Sequence, residues 1–371
     1  PRECYRRVAL FKSADYIPNL EGGVAKKTLK RWHREGLPEG VSRNEFFGLD
    51  RVELMRDISY SPIPGVADRT SDLPMTRYGR AFRDAWGRVA IWHPYKDDDE
   101  YAESGHMVLR GALQGRGDWE EIRGHFRPDV ETRYPDDWPE RVERWRKREH
   151  VLVLEAPSMI GSLRMEMGFE NYCIKLHDDR PMVEELLDAR TDLALQILGK
   201  AADEVDFDML WFWEDCAFRN GPILSPAVFE QIAVPRYQRL ARWWRSRGGQ
   251  IVAVDSDGDV RELIPGWLEA GINHIWPLEP FAGMDVVALR EQYGQAFSMR
   301  GGIDKHVVAR GREAIDRELD RVCPVVRDGG YMPHLDHQIP DCPFEDYCYY
   351  MERKHELLGT RPNYARYNGD D

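Results

Sequence analysis

From His150 onward the chain alternates short apolar runs with amphipathic segments in one unbroken order, and few folds accommodate that rhythm. The runs HVLVLEAP, FDMLWFWED, QIVAVDSDGDV, INHIWPLEP, AFSMRGGID and GGYMPHLDHQIP have the length and the β-branched or aromatic content of strands. Between them stand segments with apolar residues at helical spacing, such as RPMVEELLDARTDLALQILGKAAD, SPAVFEQIAVPRYQRLARWWRSRGG and VRELIPGWLEAG. A strand that returns through a helix runs in the same direction as its predecessor, so the implied sheet is parallel. The runs are mostly apolar, without strict alternation, which fits strands covered on both faces. Six or seven such units are explicit, and counting DYIPNLEGG near the start as a first strand brings the total close to eight. The expectation is an α/β chain folded as a TIM (β/α)8 barrel. An open doubly wound sheet is the alternative, but the chain has neither a GxGxxG nor a GxxxxGK[ST] phosphate loop.

The remaining chain fits around that core. RECYRRVALFKS reads as a short helix, and KKTLKRWHREGLPEG as an amphipathic helix closed by Gly36 and Pro38. Residues from about 45 to 130 change character: YGRAFRDAWGRVAIWHPY and HMVLRGALQ are strand-like with polar breaks, and the acid run Lys96–Glu100 lies between them. This stretch is expected to be an antiparallel β insertion acting as a lid or a dimer contact, so that residues 1–371 form one domain. DWEEI and Arg141–His150 return to helix. A chain of 371 residues suffices for one such domain or two smaller ones, and the continuous alternation favours one.

Composition removes several function classes. A formal net charge of −13 and a pI near 5.4 argue against a general nucleic-acid or anionic-membrane surface, since both need a basic face. The basic stretch RLARWWRSR repeats its apolar and charged residues at helical spacing and reads as an outer helix. Cys4, Cys173, Cys216, Cys323, Cys342 and Cys348 are scattered, with no CxxC pair, as expected of reduced thiols in a cytoplasmic protein. No apolar run approaches the roughly 18–20 residues needed to span a bilayer.

In a parallel barrel, ligands collect at the carboxyl ends of the strands. That rule selects Glu21, Glu155, Glu214 with Asp215, Asp255 with Asp257, Glu279, Asp304, and His334 with Asp336 and His337. Such an acidic ring raises its own pKa values by mutual repulsion unless a cation, metal or basic substrate sits within it. Asp, Glu and His together suit zinc, manganese or another first-row divalent ion, although there is no HExxH or paired-cysteine spacing. Structural readings stand beside these. Asp259 can cap the following helix, Asp304 the one beginning near His306, and Glu155 and Glu279 adjoin prolines where they can satisfy backbone donors. Gly301–Gly302 suits a tight strand end, and most of the bulk of Trp211, Phe212 and Trp213 suits core.

The segments MGFENY, WEDCAFRNGPILSPAVFEQIAVPRY, DSDGDVRELIPGWLEAGIN, GGIDKHVV and GGYMPHLDHQIPDCPFEDYCYY resemble the uroporphyrinogen decarboxylase superfamily. Members are TIM barrels and include zinc-dependent methyltransferases that exchange methyl groups with corrinoid proteins. The likeness covers residues 150–358 well and the first forty residues more loosely. Two departures bear on the chemistry. Nothing near Tyr16–Lys27 matches the N-terminal arginine-rich segment of the decarboxylases. The HxC zinc-ligand pair of the methyltransferases aligns with Asp255 and Asp257, and the late ligand region with Asp336 or His337.

The resemblance implies methyl transfer from a small methylated substrate, an ether or an amine, to a corrinoid carried by a partner protein. It assigns His337, Asp257 and Glu214 as catalytic groups and as the ligands of a zinc or other divalent metal. Asp215, Asp255, Arg300, Asp304 and His334 are the corresponding substrate-binding candidates. A carboxy-lyase holding a small carboxylate on Arg300 and Arg219 is the second reading, and a non-catalytic barrel binding a tetrapyrrole or a partner protein the third. A homodimer is expected, with neither nucleic acid nor membrane as partner.

Overall fold

A computed structural model describes residues 1–60, 75–76, 79–83, 88–92 and 106–360. Seven parallel strands form its main sheet, hydrogen-bonded in chain order: β1 (Val52–Met55), β2 (Val151–Ala156), β3 (Met209–Trp213), β4 (Val252–Asp255), β5 (His274–Trp276), β6 (Ser298–Ile303) and β7 (Tyr331–Leu335). The six runs read as strands after His150 supply β2 to β7. Residue alternation along each strand splits the core in two. Leu152, Leu154, Leu210, Phe212, Val252 and Val254 pack with the helices, whereas Val151, Val153, Met209, Trp211, Ile251 and Ala253 pack with one another. The second cluster also takes in Tyr5, Val8 and Ala9, so the helix Arg2–Ala9 closes the end where the strands begin. Arg2 Nε donates to Asp208 Oδ1 at 2.7 Å, and Tyr5 Oη meets His274 Nε2 at 2.9 Å.

The closed eight-stranded barrel expected from the sequence is only partly realised, because DYIPNLEGG does not form a regular strand. It lies between β1 and β7 through a mixture of backbone and side-chain bonds. Asp50 N donates to Asn19 O at 2.8 Å, Asn19 N to Asp50 Oδ2 at 2.9 Å, and Ile339 N to Gly23 O at 2.8 Å. Pro18 has no amide hydrogen to give a ladder. A Cβ at Gly22 would stand 2.6 Å from the His337 carbonyl oxygen, so the chain passes too close for a side chain there. Buried charge fixes the stretch instead: Lys354 Nζ reaches Glu21 Oε1 at 2.6 Å, and Tyr350 Oη donates to the same oxygen at 2.8 Å.

The range 45–130, read as insertion, contains β1 of the main sheet as well as a small antiparallel sheet of Met75–Thr76, Gly79–Arg83, Val89–Trp92 and His106–Arg110. The run VELM is only four residues long and carries a charge at Glu53, which is why its pattern gave no strand signal. The acid run Lys96–Glu100 lies outside the described residues. No described helix is long and apolar enough to cross a membrane, and all six cysteines are free.

Candidate active site

Asp255 ends β4 on the inner face, two residues beyond Ala253, in register with Trp213 of β3 and Trp276 of β5. Trp276 Nε1 donates to Asp255 Oδ2 at 2.9 Å. The Arg300 guanidinium lies 5.2 Å from the Trp276 ring, and its Nε donates to His334 Nε2 at 3.0 Å. The other His334 nitrogen, Nδ1, bonds the Leu335 carbonyl, which requires the proton on Nδ1 and leaves Nε2 as acceptor. Burial and the neighbouring Arg300 charge hold the His334 pKa well below the usual imidazole range, so it is a neutral orienting group.

Carboxyl groups crowd the same rim. Burial, then the negative charges of Asp257 and Asp215, pushes the Asp255 carboxyl up to about 7, with Arg300 opposing. Asp215 is raised to about 6 by burial and by Asp257, with Arg164 Nη2 3.8 Å away. Asp257 Oδ2 lies 3.4 Å from His337 Nε2, and that contact raises the His337 pKa. Glu155, at the end of β2, is raised to about 7 by burial, with Arg56 Nε 3.8 Å from it. Burial together with mutual repulsion raises Asp255 and Asp215, the condition for carboxyls that can hand over a proton near neutral pH.

Other candidates sit elsewhere. Glu214, adjacent to Asp215, points away from the rim and is fully buried. Its carboxylate accepts from Ser158 Oγ at 3.0 Å and from the amides of Met159, Ile160 and Gly161 at 2.7, 2.8 and 3.2 Å, at the start of the helix Gly161–Met167. Asp304 caps Lys305–Ala309 through the His306 amide and pairs with Arg310. Glu279 accepts from Gly258 N at 2.9 Å, and Glu21 is taken up by Lys354. Asp336 is buried, raised to about 6, and accepts from Lys305 N.

The trio of Asp257, His337 and Glu214 therefore does not converge as a metal site. Among the described residues no three His, Cys, Asp or Glu side chains gather into a set that could hold an ion. The reason is local: consecutive strand residues face opposite ways, and Glu214 takes the outward position while Asp215, at φ 43°, turns onto the rim.

A cavity of about 500 Å³ lies at the ends of β1, β2 and β3, with Glu155 in its wall. Arg56, Tyr60, Glu155, Met165, Arg190 and Trp213 are among its walls. Sequence reasoning missed Arg56 because it missed β1, and Arg190 because a lone arginine within a long helix carries no local signal. Trp276 could have been found from its place at a strand end beside Pro277.

No protein-family profile matches the chain. Among solved structures it is similar to a methyltransferase from Methanosarcina mazei, with a TM-score of 0.55 and 11% sequence identity over 96% of this chain and 97% of that one. At that identity the likeness is one of fold, and it runs through nearly the full length of both: the chain has a methyltransferase-like α/β fold.

Proposed function

We propose that the strand-end cleft is the active site of an enzyme of the uroporphyrinogen decarboxylase superfamily that moves a methyl group from a small methylated substrate to a corrinoid carried by a partner protein. The observation that supports it is the carboxyl of Asp255 at the end of β4, which accepts from Trp276 Nε1 and is raised to about 7 by burial and by the charges of Asp257 and Asp215. Methyl transfer from an ether breaks a carbon–oxygen bond, and the electron pair left on oxygen needs a proton. Asp255 supplies it as general acid. The reduced corrinoid supplies the electron pair of the new cobalt–carbon bond. In this reading the Asp257–His337 pair, 3.4 Å apart, reloads the acid from solvent, and Arg300 and His334 orient the Trp276 ring. Zinc chemistry forms no part of the proposal, since the ligand trio is not assembled.

The test uses purified protein, free cob(I)alamin as acceptor and a panel of methyl ethers and methylamines, with methylcobalamin formation read by absorbance. Asp257→Asn and His337→Ala should fold normally and lose on the order of 10²-fold or more in turnover, the usual share of acid–base catalysis. Full turnover in both would remove the pair from the mechanism. Guanidinium groups beside the cleft favour a carboxy-lyase as the second reading; CO2 release without methylcobalamin would select it.

A further inference from the structure

We infer that the seam beside β1, where the leading stretch stands in place of a regular strand, binds a small carboxylic acid between the guanidinium groups of Arg300 and Arg43. The seam holds a cavity of about 330 Å³ whose wall includes Glu21, Arg43, Asp50, Arg51, Val52 and Arg300. Arg300 comes to it from β6, and Arg43 from the short helix Arg43–Phe46 that precedes β1. Two cations from distant segments thus reach one space.

Arg300 is held by uncharged groups alone. Its guanidinium lies 5.2 Å from the Trp276 ring, its Nε donates to His334 Nε2 at 3.0 Å, and Tyr5 Oη stands beside it. His334 is itself fixed through Nδ1 to the Leu335 carbonyl, so it can only accept from Arg300. Arg43 is placed in the same way: Nη1 donates to the Gly22 carbonyl, and Nε and Nη2 to Asn44 Oδ1 at 3.1 and 2.7 Å. Among the described residues no carboxylate stands within 4 Å of either guanidinium. Both side chains are half-buried, and neither has an unbonded nitrogen sealed away from solvent. A charge drawn partly out of water normally meets an opposite charge. Two that meet none, in the wall of one cavity, mark the place of an anion from outside.

The other charges of the wall have partners of their own. Lys354 takes up Glu21, Asp50 Oδ2 accepts from Asn19 N at 2.9 Å, and Arg51 Nη2 lies 3.1 Å from Glu53 Oε2. Arg219 does not belong to this site: it lies 3.9 Å from the Phe281 ring centroid, in the wall of a separate cavity with Asp257 and Lys305. A carboxylate matches the guanidinium fork with two parallel hydrogen bonds. Phosphate would bring close to two charges against Glu21 and Asp50, where a carboxylate brings one. The volume, about 330 Å³, stands at the lower end of the roughly 300–1,000 Å³ of small-ligand sites, so the acid is a small one.

The experiment is titration calorimetry of the full chain against matched pairs: propionate and propionamide, benzoate and benzamide, succinate and succinamide, with inorganic phosphate as a further anion. Each acid is expected to bind roughly 10-fold to 100-fold more tightly than its amide, the range for hydrogen bonds to a charged group. Arg300→Gln keeps an N–H donor for His334, and Arg43→Met removes a side chain whose present acceptors are a carbonyl and an amide oxygen. Each should keep its melting transition and cut the preference for acids by roughly tenfold. If Arg300→Gln unfolds, Arg43→Met decides alone. Equal binding of acids and amides, variants that retain the preference, its loss in Arg219→Ala instead, or phosphate binding better than every acid would overturn the inference. Binding is read without turnover, which separates it from the reading of the strand-end cleft. An acid preference that depends on Arg300 and Arg43 supports the site even where no methylcobalamin forms, and methyl transfer does not rescue it where the preference is absent.

Discussion

Replacing Asp255 by asparagine should stabilise the protein above neutral pH while removing its activity. The folded carboxyl has a pKa of about 7 against the ordinary 3.8, and burial is the largest cause. At 1.36 kcal/mol per pKa unit, the difference amounts to roughly 4 kcal/mol once the pH exceeds 7. The sign follows from linkage. A raised folded pKa means that the protonated form is favoured by folding, so this contribution is complete below pH 3.8, declines as pH rises, and is gone above about 7. Asparagine has no proton to lose, and its Oδ1 can still accept from Trp276 Nε1. The variant should therefore match the wild type near pH 4 and exceed it progressively up to pH 8. Because Asp215 and Asp257 share the cluster, the rise will be spread over a wider span than one isolated acid would show. Urea unfolding followed by tryptophan fluorescence, at steps of pH from 4 to 8, measures it directly. A stability difference that does not change with pH would refute the claim that Asp255 is held protonated.

Two further substitutions test what holds the site in place. Glu214→Gln turns an amide N–H2 toward at least one of the four donors that now bond the carboxylate, and should cost about 2–3 kcal/mol in urea unfolding; unchanged stability would remove its role as cap of Gly161–Met167. Lys354→Met leaves Glu21 buried without its cation and should cost about 3–5 kcal/mol, most of it restored by adding Glu21→Gln. If the double variant were no more stable than the single one, the leading stretch would owe its position to something other than this pair.

How far the sequence could see is clearest at β3 and β4. The run FDMLWFWED announced a strand and its end, but Glu214 and Asp215 were inseparable in one dimension. The structure sends Glu214 outward onto three backbone amides and a serine, and Asp215 onto the rim beside Asp257. Alternation says that neighbours face opposite ways; it does not give the phase where a strand ends and the backbone turns through a positive φ. The same limit applied to Asp304, whose capping role depends on where the short helix after β6 begins.

The sequence by itself determined the parallel sheet, the order of six of its strands, and the side on which polar groups gather. The reason is that strand–helix alternation leaves one chain direction, and with it one carboxyl-terminal rim. That is enough to bring Asp257 and His337, far apart in sequence, to 3.4 Å. Tertiary structure alone decided the rest: that VELM is a strand, that the leading stretch is held by Lys354 and Glu21 instead of a ladder, and that Glu214 turns away from the rim onto the amides of Met159, Ile160 and Gly161. These features are set by partners on distant segments, and a pattern read along one segment carries no information about the segment it will meet.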